Sequence, residues 1–100
     1  MPFNLDARLS ALSSLPFNWD SYNGLPITKA AINEAHRILD PLKDLWMPEP
    51  WIVPTNSGGL QIEYHLNGIG LEIGIDRFGG VKIFYERSGK ERRKKRRVAG

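Results

Sequence analysis

Between Gly59 and Tyr85 apolar and polar residues alternate with a period of two. Leu60, Ile62, Tyr64 and Leu66 are separated by Gln61, Glu63 and His65, the pattern of a strand with one buried face. Asn67-Gly68 follows, a pair that tolerates positive φ at both central positions of a type I′ turn. With those two residues as the loop, Leu66 faces Ile69, Tyr64 faces Leu71, Ile62 faces Ile73 and Leu60 faces Ile75. A slip of one residue would send half of these side chains to water, so the register is specified. The other face pairs His65 with Gly70, Glu63 with Glu72 and Gln61 with Gly74, and directly opposed carboxylates repel. After a loop at residues 76–80, a third strand over 81–85 puts Val81, Ile83 and Tyr85 on the apolar side. It leaves Phe84 and Lys82 on the polar side, with Lys82 diagonal to Glu72 and able to offset the repulsion.

Upstream the period becomes helical. Asn4 is a cap, and Leu5, Leu9, Leu12 and Leu15 recur along one stripe with Ala11 beside them, until Ser13-Ser14 and Pro16 end the helix near residue 14. Thr28 caps a second helix with Ile32, Ala35, Ile38 and Leu39 as its stripe, extending to Leu42. Asn33, Glu34 and Arg37 face water, and Asp40-Pro41 marks the end. His36, at the edge of that stripe, reads as a surface or boundary residue.

The segment between the helices, 17–26, has the composition of a loop yet carries Phe17, Trp19 and Tyr22. In the plainer reading Trp19 and Tyr22 fill the gap between helix and sheet. In the functional one they are anchors of a recognition loop, because aromatics are enriched in binding hot spots. Trp46 to Trp51 is too rich in proline for helix or central strand and reads as an extended surface crossover. Trp51 to Pro54 can form a short edge strand, and 55–59 is a turn. The expected fold is α+β: two N-terminal helices on one face of a three- to four-stranded antiparallel meander, the other face open.

At 100 residues the chain is one domain with a small core. It contains no cysteine, which removes disulfides, thiol catalysis and thiolate metal sites. No apolar run approaches the ~18 residues of a membrane span, and Met1-Pro2-Phe3-Asn4 lacks a signal-peptide layout. A cytoplasmic protein without a membrane partner is expected.

Charge divides the chain. Of 14 Lys and Arg, eight fall between Arg87 and Gly100, where Glu91 is the one acid, so this tail carries +7. The remaining six basic and ten acidic residues leave 1–86 at −4. The expected organisation is a folded body over 1–86 and a basic tail over 87–100, disordered on its own because like charges repel. Arg92, Arg93, Lys94, Lys95, Arg96 and Arg97 are the candidate phosphate contacts, since such runs release counterions from nucleic acid with little sequence choice. A merely solubilising tail, or one docked on the acidic body, are the other readings.

Two stretches carry a resemblance. Trp19-Asp20-Ser21-Tyr22-Asn23-Gly24-Leu25-Pro26 and Gly58-Gly59-Leu60-Gln61-Ile62-Glu63-Tyr64 resemble a group of small uncharacterised bacterial and phage proteins. These share a W-D-x-Y-[GN]-[AG]-x-P stretch and a later G-G-[IL]-x-[IL]-E-[WY] stretch. The resemblance covers residues 18 to 86. It implies that Trp19, Asp20, Tyr22, Pro26, Gly59 and Glu63 belong to a shared scaffold or site, and it implies no activity.

For chemistry, Glu63 and Glu72 are a candidate carboxylate pair, with His65 on the same face; such groups can exchange protons or hold a divalent ion. A flat, solvated sheet face favours a structural or binding role over catalysis. Gly70 and Gly74 leave gaps there, and Phe84 offers an exposed ring. No glycine loop precedes a helix to cradle phosphate, and no serine sits in a nucleophile elbow. No catalytic residue, metal or cofactor is expected.

The expected function is a non-enzymatic binding module. Its tail would contact nucleic-acid phosphates, and Trp19, Tyr22, Glu63, His65 and Phe84 would meet an unidentified protein partner. The alternative is a phage- or mobile-element-type inhibitor or antitoxin-like protein that blocks another protein with its aromatic, acidic surface. The free edge of the last strand, ending near Glu86, is open to pairing with a second copy.

Overall fold

The structure, a computed structural model, describes residues 4–43, 49–66, 68–87 and 95–99. Helix α1 spans Leu5–Ser13 and α2 Lys29–Leu39, followed by a single 3-10 turn over Asp40–Leu42. Strands β1 (Trp51–Pro54), β2 (Leu60–Leu66), β3 (Ile69–Ile75), β4 (Val81–Arg87) and β5 (Lys95–Ala99) lie in sequence order in one antiparallel sheet.

Both helices start where their caps direct. Asn4 Oδ1 accepts from Ala7 N at 2.9 Å, and Thr28 Oγ1 accepts from Ala31 N at 3.1 Å while its hydroxyl donates to Arg77 O at 2.6 Å. Thr28 therefore ties the start of α2 to the β3–β4 loop. Leu5, Leu9 and Leu12 of α1 are buried, and α1 lies over β1. The Arg8 guanidinium reaches Ile52 O at 2.7 Å, supplying a donor to the edge strand.

The buried line of α2 is Ala31, Ala35 and Leu39, with Ile32 and Ile38 half-buried on its flanks. The helix is thus rotated from the expected stripe. Ala31 and Ala35, both 0% exposed, bring its backbone close to β2 and β3, and the isoleucines spread to either side. Fully buried Leu9, Leu39, Leu60 and Ile62 form the centre of the core. Each contributes about 1.5–3 kcal/mol of burial.

The β2–β3 register is the expected one at every pair, from Leu60 opposite Ile75 to Leu66 opposite Ile69, and Gly68 has φ +81°. Asn67 lies outside the described residues. The helices cover only part of the sheet: Ile69 is 45% exposed, and Leu71, Val81, Ile83 and Tyr85 are half-buried. Of the proline-rich crossover, 44–48 lies outside the described residues; Glu49 and Pro50 lead directly into β1.

Two features differ from the sequence reading. Arg87 closes β4, and Lys95–Ala99 pairs with β4, Lys95 opposite Glu86, Arg96 opposite Tyr85 and Arg97 opposite Phe84. These parts of the segment expected to be disordered are therefore extended and paired, because the open edge of β4 offers a row of backbone partners. The same pairing occupies the edge considered for a second copy.

Candidate functional site

The 17–26 loop is built around one carboxylate. Asp20 Oδ1 accepts from Tyr22 N at 2.9 Å and Gly24 N at 2.8 Å, and Oδ2 accepts from Asn56 Nδ2 at 2.8 Å. The Asn56 amide also donates to Tyr22 O at 2.9 Å, while Leu25 N donates to Asn56 O and Thr28 N to Gly58 O. These donors, the Asn56 amide first, hold the Asp20 carboxyl below the usual aspartate value. The loop is thereby fastened to the 55–59 turn.

The two motif stretches meet through this clamp. Trp19 is half-buried and its indole N–H donates to Leu25 O at 2.9 Å, closing the loop on itself. Asn18, Ser21 and Asn23 take φ of 67°, 66° and 61°, left-handed conformations held by the same network. Gly24 is required because a Cβ there would lie 2.6 Å from Asp20 Oδ1, and Gly59 because its Cβ would lie 2.1 Å from Ile75 O. Tyr22, by contrast, is 80% exposed, so it does not fill the gap between helix and sheet.

The open sheet face presents a row across four strands. Pairing places Trp51 opposite Glu63, Glu63 opposite Glu72 and Glu72 opposite Phe84, so two carboxylates lie between two aromatic residues. In the next row His65 faces Gly70, and Gly70 faces Glu86. A hollow of about 70 Å³ opens over Gly70, lined by Glu63, His65, Glu72, Phe84 and Glu86. Glu63 accepts from Gln61 Nε2 at 2.8 Å and lies 3.5 Å from His65 Nε2. Among the described residues the Glu72 carboxylate makes neither a hydrogen bond nor an ion pair, to Lys82 or to any other group, while its backbone is held in the β2–β3–β4 ladder.

Of the sequence-derived partner residues, Glu63, His65 and Phe84 line this hollow, whereas Trp19 and Tyr22 belong to the loop fastened to the 55–59 turn. Of the phosphate candidates, Lys95, Arg96 and Arg97 lie in β5; Arg92, Arg93 and Lys94 are outside the described residues. Sequence reading missed Trp51, 68% exposed on β1, and Glu86, which pairs across from Gly70. Extending the alternation of β4 past Tyr85 and pairing Trp51 with Glu63 would have found both. It also missed Phe78, 78% exposed at the tip of the β3–β4 loop beneath the Arg77 guanidinium, 4.9 Å from the ring centre.

The metal-ligand spacing among the described residues belongs to Asp6, His36 and Asp40. His36 Nδ1 lies 3.2 Å from Asp40 Oδ1 and 3.8 Å from Asp6 Oδ1. Lys43 Nζ is 3.9 Å from Asp6 and 3.6 Å from Asp40, so a cation of the chain already balances these carboxylates. His36 thus sits at the junction of α1 with the end of α2. Hydrogen bonding from His36, with Lys43 nearby, lowers the Asp40 carboxyl below its ordinary value.

No helix among the described residues is long and apolar enough to cross a membrane. No protein-family model matches the chain, and neither a curated protein nor a solved structure matches it.

Proposed function

We propose that the chain is a non-enzymatic binding module whose basic C-terminal segment contacts nucleic-acid phosphates without strong sequence choice. The observation that carries this reading is the division of charge, +7 over 87–100 against −4 over 1–86. Six consecutive cations, Arg92 to Arg97, form the densest part. Pairing of Lys95–Ala99 with β4 anchors that run at the sheet edge, which lowers the ordering cost of laying it along a phosphate backbone.

The test compares the full chain with a variant carrying Gln at all six positions from 92 to 97, on 20-mer single-stranded and duplex RNA and DNA. The wild type binds all four within a narrow range of affinity, and the variant loses at least about a hundredfold. Equal affinity of the two proteins overturns the reading.

A second reading, a phage- or mobile-element-type inhibitor or antitoxin-like protein, is favoured by the aromatic and acidic row Trp51, Glu63, Glu72, Phe84. It gains if the six-Gln variant keeps the full biological effect of the wild type.

A further inference from the structure

We propose that the end of the body where the 17–26, 55–59 and 76–80 loops meet binds unpaired bases of a single-stranded nucleic acid, with the rings of Tyr22 and Phe78 as stacking platforms. This deepens the nucleic-acid function proposed above and rests on it, adding a site on the body to the phosphate contacts of the tail.

Two of these loops are built to one plan. Asp20 to Gly24 and Asp76 to Gly80 both read Asp-x-aromatic-x-Gly. In each, one carboxylate oxygen accepts from the N–H of the aromatic residue and from that of the glycine. Asp20 Oδ1 accepts from Tyr22 at 2.9 Å and Gly24 at 2.8 Å, and Asp76 Oδ1 accepts from Phe78 and Gly80, both at 2.8 Å. The main chain thus fixes both aromatic residues while the core uses neither ring, Tyr22 being 80% and Phe78 78% exposed. A ring presented by an ordered loop loses little freedom when a ligand covers it.

The fold brings the two loops to one end of the sheet. Tyr22 O accepts from Asn56 Nδ2 at 2.9 Å, and a Cβ on Gly58 would lie 3.2 Å from Pro26 O and 3.4 Å from Arg77 Cβ, so the 55–59 turn touches both loops. Charge there suits a polyanion. Lys29, Arg77 and Lys82 are exposed, and none forms an ion pair with a carboxylate among the described residues, whereas Asp20 and Asp76 are turned onto the backbone of their own loops. The Arg77 guanidinium covers one face of the Phe78 ring at 4.9 Å from its centre, and the other face is open to a base. Strand β5 ends on the same side, Ala99 opposite Lys82, so a strand held by the basic segment leads on to the two rings.

Stacking on these rings requires bases that are not already paired and stacked in a duplex. A duplex carries the denser row of phosphates and holds the tail more strongly. The rings offset that difference for single strands, which keeps the two forms within a narrow range of affinity.

The test measures binding of the full chain to labelled 20-mers, single-stranded and duplex, by fluorescence anisotropy. Tyr22→Ala and Phe78→Ala each weaken single-strand binding about fivefold, the double variant at least roughly tenfold, and duplex binding stays within about twofold of wild type. Tyr22→Phe, which keeps the ring, keeps the affinity. The loop hydrogen bonds at both positions come from the main chain, so the alanine variants retain them and the wild-type Tm. In isotope-labelled wild type, single strands give saturable amide shifts at Tyr22, Asn56, Arg77 and Phe78, and the duplex gives none there.

Unchanged single-strand affinity in the double variant overturns the proposal while duplex binding by the tail still stands, and the rings would then serve a protein partner. An equal loss on single strands and duplex also overturns it, because the rings would not be reading unpaired bases. A wild type that binds neither form removes the nucleic-acid function itself, and this site with it.

Discussion

Gly59→Ala is the substitution whose outcome the backbone geometry dictates most strongly. A Cβ at Gly59 would lie 2.1 Å from Ile75 O and 3.1 Å from the Asp76 Cα, and real Cβ atoms do not approach within 3.0 Å. The strand ends must therefore part by about 0.9 Å, the difference between 2.1 and 3.0 Å, at a buried position. That movement strains the Leu60 to Ile75 pairing and the two Gly59 hydrogen bonds to Thr55, both 3.0 Å. The cost belongs at the top of the overpacking range, ~3 kcal/mol. In a domain whose whole stability is of order 5–15 kcal/mol, this lowers Tm by ~12–24 °C.

Two other glycines are internal controls. Gly58→Ala meets Pro26 O at 3.2 Å and must hold φ +93°, for ~1–2 kcal/mol. Gly74→Ala meets nothing closer than 3.9 Å and should gain ~0.5–1 kcal/mol by replacing glycine inside a strand. Thermal unfolding followed by tryptophan fluorescence and circular dichroism ranks the three. The reasoning is refuted if Gly59→Ala melts within about 3 °C of wild type, or if Gly74→Ala costs more than Gly59→Ala.

Other outcomes follow from the same contacts. Leu9→Ala, at a fully buried site between α1 and the sheet, costs ~2–5 kcal/mol by urea denaturation without changing the β2–β3 register. Asp20 has a folded-state pKa below its ordinary 3.8, so the stability it contributes is present above that value and lost as pH falls through the lower folded value. Asp20→Asn should flatten the acid limb of a stability-versus-pH curve below about pH 4 and leave neutral-pH exchange in β2 and β3 unaltered; an unchanged acid limb contradicts the clamp.

The hairpin was the most legible part of the chain, for a physical reason. Asn67-Gly68 fixes the loop length, and only one register buries Leu60, Ile62 and Tyr64 together, so local turn chemistry and burial agree. The helix caps at Asn4 and Thr28 were equally readable, since each needs only a side chain three residues from its donor. The rotation of α2 was not: a stripe of two isoleucines outweighs alanines on any hydrophobicity count, yet close approach to a sheet favours the small residues.

The candidate site was partly legible. Alternation placed Glu63, Glu72, His65, Gly70 and Phe84 on one face, but the hollow arises only when strand order sets Gly70 between His65 and Glu86, beside Glu63, Glu72 and Phe84. The role of Asp20 could not be read at all, because Asn56, 36 residues away, is brought to it by the fold. Pairing of Lys95–Ala99 was hidden by charge, which dominates composition while the backbone still finds the open edge of β4.

The measurement that bears most directly on the proposed function is the salt dependence of nucleic-acid binding by the full chain. With six cations from Arg92 to Arg97 meeting phosphates of a duplex, log K falls against log salt with a slope of roughly −4 to −6. A slope near zero, or affinity that holds as salt rises, contradicts the account.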